Sequence, residues 1–211
     1  MAHICTDAGH GGPDSGAVWQ SIQEKDLNLI YCGQLNAELK ARGHHVLTTR
    51  LGDDDAPPLG IRCKLVNAHH RLQRPAFDCI VSLHCNVAAK VDPANGGYRA
   101  LPQVRGFYAI YSQESPQSTA LARSIAQKVE EAGVILKHGG MLSTVELGRT
   151  LAWIHKTLPP AVLLEMGFMT NPEELALLQN SDYQRKLIGA IADGLETFLS
   201  KQSTPQEVHH G

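Results

Sequence analysis

The sequence predicts an α/β fold: a single domain with a twisted, mostly parallel sheet flanked by helices on both faces. Three observations carry this. Short apolar runs alternate along the chain with helical patterns of roughly ten to twenty residues, the rhythm of strand and crossover helix. Residues 160–168 are almost wholly apolar, as a strand covered on both sides must be. A length of 211 residues supports one sizeable core and leaves too little for two.

The elements follow in order. Residues 3–7 read as a first strand, and 24–42 as an amphipathic helix with Leu27, Ile30, Tyr31, Leu35 and Leu39 at helical spacing, ended by Gly43. A strand over 45–49, a turn-rich stretch over 53–58 and a helix over 60–70 come next, then strands over 77–86 and 107–112. Ser115-Pro116 opens a long helix to 132, and 150–155 reads as a further strand before 160–168. Asn171 caps a helix with Glu173 and Glu174 in its first turn, and Asp182 opens the last helix, running to about Leu199. The domain is therefore placed at 1–199, with 200–211, polar and containing Pro205, as a flexible tail whose His209 and His210 stay outside the chemistry. Segments 87–105 and 133–148 are irregular, rich in Gly or Pro and longer than a connector needs, which marks them as functional loops.

Composition excludes several classes. With 43% hydrophobic and 19% charged residues the chain is an ordinary globular one, and a formal charge of -2 without a basic block argues against a nucleic-acid partner. No segment approaches the ~20 apolar residues of a membrane span, so no membrane insertion is expected. Met1 leads straight into a strand without a secretory signal, so the chain as written is expected in the cytoplasm. Cys5, Cys32, Cys63, Cys79 and Cys85 are odd in number and form no CxxC pair, which suits buried, reduced thiols. His44, His45, His69 and His70 fall at helix ends or turns and are expected to be solvated, while His138 and His155 suit a surface role at least as well as a place bordering a groove in contact with substrate.

Ligands of an open α/β sheet gather at the carboxyl ends of its strands, and four features sit there or nearby. After the first strand comes Asp7-Ala8-Gly9-His10-Gly11-Gly12-Pro13-Asp14-Ser15-Gly16, whose glycines present His10 without obstruction and which matches no phosphate-binding fingerprint. Glu24 begins the first helix; taken alone, it reads first as an acid favoured by the helix dipole. In 80–86, two-residue alternation puts Ser82, His84 and Asn86 on one face and Val81, Leu83 and Cys85 on the other. Taken alone, His84 reads first as a hydrogen-bonded structural residue. Glu165 interrupts an apolar strand near its carboxyl end, where an ionised acid needs either a salt bridge or a site, and Gly167 leaves room for a ligand. Together they supply two imidazoles and one carboxylate as metal ligands, with a second carboxylate free. That is the inventory of a catalytic zinc hydrolase, in which three protein ligands leave a position for a water whose pKa falls to ~7.

The segments TDAGHGGPDSGA, EKDLNL, VSLHCN, GFYAIYS, PAVLLEMGFMTNPEE and DYQRKLIGAIADGLETFL, in that order, resemble the zinc-dependent N-acetylmuramoyl-L-alanine amidases nearly end to end. The resemblance implies His10, Glu24 and His84 as ligands of one catalytic zinc ion and Glu165 as the catalytic glutamate. It also implies the substrate, the amide joining the lactyl group of N-acetylmuramic acid to L-alanine in peptidoglycan or a muropeptide. Asp7, Asp14 and Asn86 are candidates for orienting the histidines, with Asp7 and Asn86 equally suited to capping turns. Many cellular members carry a long regulatory helix after the second histidine. Here 87–105 is short and rich in Pro and Gly, so no such plug is expected, and activity should need no activator. The compact signal-free chain suggests a monomeric phage endolysin acting on the cell wall, ahead of a cytoplasmic enzyme for wall fragments or an exported domain. The competing readings are a zinc peptidase cutting inside the stem peptide and a catalytically silent wall-binding domain.

Overall fold

The computed structural model describes residues 1–54, 56–94 and 96–203. In chain order these form β1 (His3–Ala8), a small hairpin of β2 (Val18–Trp19) and β3 (Ile22–Gln23), α1 (Glu24–Ala41), β4 (His45–Thr48), α2 (Leu59–Leu72) and β5 (Cys79–Asn86). A second hairpin, β6 (Ala89–Val91) and β7 (Tyr98–Ala100), precedes β8 (Phe107–Tyr111), α3 (Pro116–Glu131), β9 (Leu136–Ser143) and α4 (Ala152–His155). The chain continues through β10 (Ala161–Phe168), α5 (Pro172–Leu178) and α6 (Ser181–Ser203). The main sheet has the order β4-β1-β5-β10-β8-β9, and every pairing is parallel except that of β10 with β8. The predicted fold class therefore holds.

Each sheet face has its own core, because strand residues alternate between them. On one, Ile4, Val81, Leu83, Val162 and Leu164 pack under Leu35 of α1, Ile125 of α3, Leu178 of α5 and Ile191 of α6. On the other, Cys5, Ile80, Ile110 and Leu163 meet Cys63 and Val66 of α2 and Trp153 and Ile154 of α4. The helix starts foreseen from sequence are present: Ser115 accepts the Ser118 amide at 3.1 Å and Asn171 that of Glu174 at 2.9 Å. All five cysteines are free and buried, and Cys85 packs in the first core.

Four expectations need correction. Residues 150–155 do not form a strand; α4 is a single helical turn that drives Trp153 into the second core, where its indole N–H donates to the Val162 carbonyl at 3.2 Å. A short apolar run does not by periodicity alone distinguish strand from helix. The irregular loop expected over 133–148 contains edge strand β9, whose alternation is hidden by left-handed backbone at His138, Gly139 and Gly140 and by a register shift against β8. Segment 87–105 holds the β6–β7 hairpin and, among its described residues, no helix. Lastly, of the four histidines expected in solvent only His45 is exposed; His44 sits between the Ala2 amide and Glu196, His69 stacks on Phe77 at 4.3 Å, and the Nδ1 of His70 is buried. α6 continues to Ser203, a turn past its predicted end, and 204–211, where the rest of the expected tail falls, lie outside the described residues.

Candidate active site

Three adjacent parallel strands bring the polar residues together. Their register places Asp7 beside Ser82, Ser82 beside Leu163, and His84 beside Glu165, so Asp7, Ser82, His84 and Glu165 emerge on one face at the carboxyl ends of β1, β5 and β10. This is the face of α2 and α4, and the polar residues interrupt its core exactly where the strands end. A cavity of about 510 Å³ opens there, lined by His10, Glu24, His84 and Glu165 and by Leu151, Trp153 and Leu163 among its apolar walls.

His10 arrives from the glycine loop with its backbone in the left-handed region, φ 64°. Its Nδ1 meets Asp14 at 2.9 Å, and its Nε2 lies 3.3 Å from Glu24. Glu24 is the first residue of α1, and its other oxygen stands 2.9 Å from Nδ1 of His84. The ligand-type atoms of His10, Glu24 and His84 all lie within 4.8 Å of one another, close enough for one metal ion to engage all three. Glycine makes this crowding possible. A methyl group at Gly9 would overlap the His84 ring, and one at Gly16 would stand 2.6 Å from His10 and 2.7 Å from Glu24.

The electrostatics are those of a cation site. Burial works against the negative charge of Glu24, but the two imidazoles beside it win and hold its pKa far below the usual carboxylate range. Burial likewise opposes protonation of His10, yet its bonds to Glu24 and Asp14 raise it to about 9. His84 is raised too, by Glu24 against its own burial. The carboxylate thus favours positive charge on both imidazoles beside it, the charge that a divalent ion would supply. Glu165 differs: removal from water pushes it up to about 7 despite the nearby His84, and its Oε2 is buried with no hydrogen-bond partner. A partnerless buried carboxyl oxygen facing a cavity is poised to exchange a proton with whatever enters.

The remaining candidates are placed as follows. Asp14 bonds the His10 ring directly. Asp7 lies one layer below: it accepts from Thr49, from Ser82 at 2.6 Å and from Arg62 at 2.9 Å, and touches neither histidine. Asn86 lines the cavity but spends its amide on Tyr108 at 2.6 Å and on the Val87 backbone, a turn-capping role. His138 and His155 are not among the lining residues; His138 stands edge-on to Tyr108, and His155 bonds the Leu151 backbone and Thr144. Of the described residues in segments 87–105 and 133–148, only Val87 lines the cavity.

Sequence reasoning missed three arginines. Arg62 of α2 clamps the carbonyls of Pro57, Ala8 and His10, and Arg50 those of Ala8, Gly9 and Lys25, so buried guanidinium groups satisfy the glycine loop from below. Arg149 lines the cavity itself. No local pattern marks any of them, since each acts only through chain segments brought near by folding.

The chain is 28% identical over 213 residues to the germination-specific N-acetylmuramoyl-L-alanine amidase of Bacillus subtilis, covering 97% of this chain and 82% of that one. It is 27% identical to the endolysin of Bacillus phage SPP1, covering 93% of this chain and 66% of the relative. Among solved structures, the catalytic domain of CwlV, an N-acetylmuramoyl-L-alanine amidase from Bacillus (Paenibacillus) polymyxa var. colistinus, superposes with a TM-score of 0.76 at 28% identity, covering 95% of this chain and 99% of that one. Residues 4–197 match the family model described as N-acetylmuramoyl-L-alanine amidase, and the chain belongs to that family.

Proposed function

We propose that this chain hydrolyses the amide between N-acetylmuramic acid and the L-alanine of the peptidoglycan stem with one zinc ion held by His10, Glu24 and His84, and with Glu165 carrying the proton. The convergence of two imidazoles and a carboxylate within 4.8 Å, beside a partnerless buried carboxyl, carries the reading. The donor set suits zinc, a borderline-soft ion that favours imidazole nitrogen and carboxylate oxygen. When bound, zinc supplies Lewis acidity toward the amide carbonyl and makes a water acidic enough to ionise near neutral pH.

The chain's own residues account for the rest. Asp14, by accepting the Nδ1 proton of His10, leaves Nε2 as the free lone pair facing Glu24, and so sets the tautomer required of a ligand. Arg62 and Arg50 fix the loop that carries His10. Glu165, with an affinity for protons matched to neutral pH, accepts the proton of the attacking water and delivers it to the departing alanine nitrogen, which leaves poorly unless protonated. The apolar walls keep competing water from the reacting carbonyl. The enzyme works as a single chain with a lytic role, in line with the relative named Endolysin.

Digestion of purified peptidoglycan followed by mass spectrometry tests this. Peptides beginning with L-alanine, together with glycan retaining the free lactyl group, are the expected products. A cut inside the stem would replace the amidase reading with that of a peptidase, and intact wall despite bound zinc would leave only a binding domain.

A further inference from the structure

Among the described residues two guanidinium groups line the cavity, those of Arg62 and Arg149, and they are in opposite situations. Arg62 is 4% exposed and fully used, by Asp7 and by three backbone carbonyls. Arg149 is exposed, and its guanidinium makes no hydrogen bond or ion pair with any described residue. Its backbone is nevertheless fixed. The Arg149 amide donates to the Thr144 carbonyl at 3.3 Å, Gly148 donates to Val145 at 3.0 Å, and Glu146 closes the same turn onto Ser143. The turn is pinned to α4 by the contact of Thr144 with His155 at 3.3 Å. A free cation on an anchored turn thus borders the cavity near Glu165 and Tyr108, both of which feel its charge.

Beside the two imidazoles of the cluster, His10 and His84, and the buried thiol of Cys85, the other ionisable groups around this cavity are acids: Asp7, Asp14, Glu24 and Glu165. A metal ion answers the cluster at His10, whereas Arg149 stands beside Glu165 on the turn that leads into Leu151 and Trp153 of the apolar wall, next to the path of a substrate that continues past the reacting amide. Apolar wall with one free guanidinium suits a small alkyl side chain followed by a carboxylate, which Arg binds through paired N–H donors. The stem peptide has this chemistry: L-alanine carries a methyl group, and the residue after it carries a carboxyl that is either free or amidated.

We propose that Arg149 is a specificity-determining residue that receives the free carboxylate of the stem residue following L-alanine, so that the enzyme favours acidic stems over their carboxamide counterparts. This rests on the amidase reading above. The zinc-loaded enzyme is assayed on two muropeptides that differ only in carboxylate or carboxamide at that residue, alongside Arg149→Gln and Arg149→Lys. The expected wild-type preference in kcat/KM is about tenfold for the carboxylate, erased in Arg149→Gln by slowing of the acidic substrate alone and partly kept in Arg149→Lys. Equal rates for the two substrates in the wild type would overturn the proposal. So would an Arg149→Gln loss that is the same for both, since Arg149 would then act on Glu165 and not on substrate. Calorimetric binding of both muropeptides to Glu165→Gln separates the two readings: no cleavage at the lactyl amide by the wild type refutes the amidase, whereas equal affinities refute the role of Arg149.

Discussion

The two faces of the sheet are built from the same strands and do opposite things. On the face of α1, α3, α5 and α6, alternate residues of β5 and β10 are Val81, Leu83, Val162 and Leu164, each without exposure, and the core runs uninterrupted. On the face of α2 and α4, the alternate positions begin equally apolar, with Ile80 and Ala161, then become Ser82, His84 and Glu165 as the strands end. One face holds the fold; the other gives up apolar burial at its carboxyl edge to create a cavity and a candidate cation site. The lesson is that period-two alternation lets a single strand contribute to stability and to chemistry without either compromising the other.

That separation can be broken most forcefully at Glu165. Glu165→Ala is expected to lower turnover about a thousandfold or more while leaving zinc content unchanged, measured by peptidoglycan digestion and elemental analysis; unaltered turnover would remove Glu165 from proton transfer. Its neighbour on the opposite face should behave in reverse. Leu164→Ala is expected to cost about 3 kcal/mol of stability in urea titration, with the activity of the folded fraction retained. A smaller effect probes the support of the metal cluster: Asp14→Asn should weaken zinc affinity about tenfold without changing the unfolding midpoint of the metal-free chain by a comparable margin.

The mildest test is one of pH. The folded-state pKa of His10 lies near 9, above its ordinary 6.5, so its contribution to stability is complete below 6.5 and disappears as pH rises through 9. The unfolding midpoint of the metal-free chain should therefore drop over that interval, while the zinc-loaded chain, with a metal in place of the proton, should show little change. A parallel drop in both forms would mean that the ion does not sit between these side chains.

The sequence exposes the site to different depths. His84 and Glu165 are legible because each is a polar interruption of an apolar strand, and strand alternation then tells which neighbours share its face. His10 is legible from its glycines, though only the structure shows that Gly9 makes room for His84 as well. Glu24 is hidden, because an acid opening a helix has an ordinary explanation, and only its company with the others raises it. Arg50, Arg62 and Arg149 leave no local trace, because their partners are carbonyls, a cavity and an acid reached through folding. The fold follows the same rule. Long helices and buried strands declare themselves by periodicity, whereas α4 is too short for a period and β9 is interrupted by residues with positive φ.

β10, the last strand along the described chain, occupies the interior of the sheet between β5 and β8. Until it inserts, β4, β1 and β5 have no sheet connection to β8 and β9. Glu165 reaches the cluster by that same insertion. A partly folded chain could gather His10, Glu24 and His84, yet would still lack the carboxyl proposed to carry the proton. Hydrolytic competence is thereby tied to closure of the sheet, so intermediates that precede closure should be catalytically inert even when they hold metal.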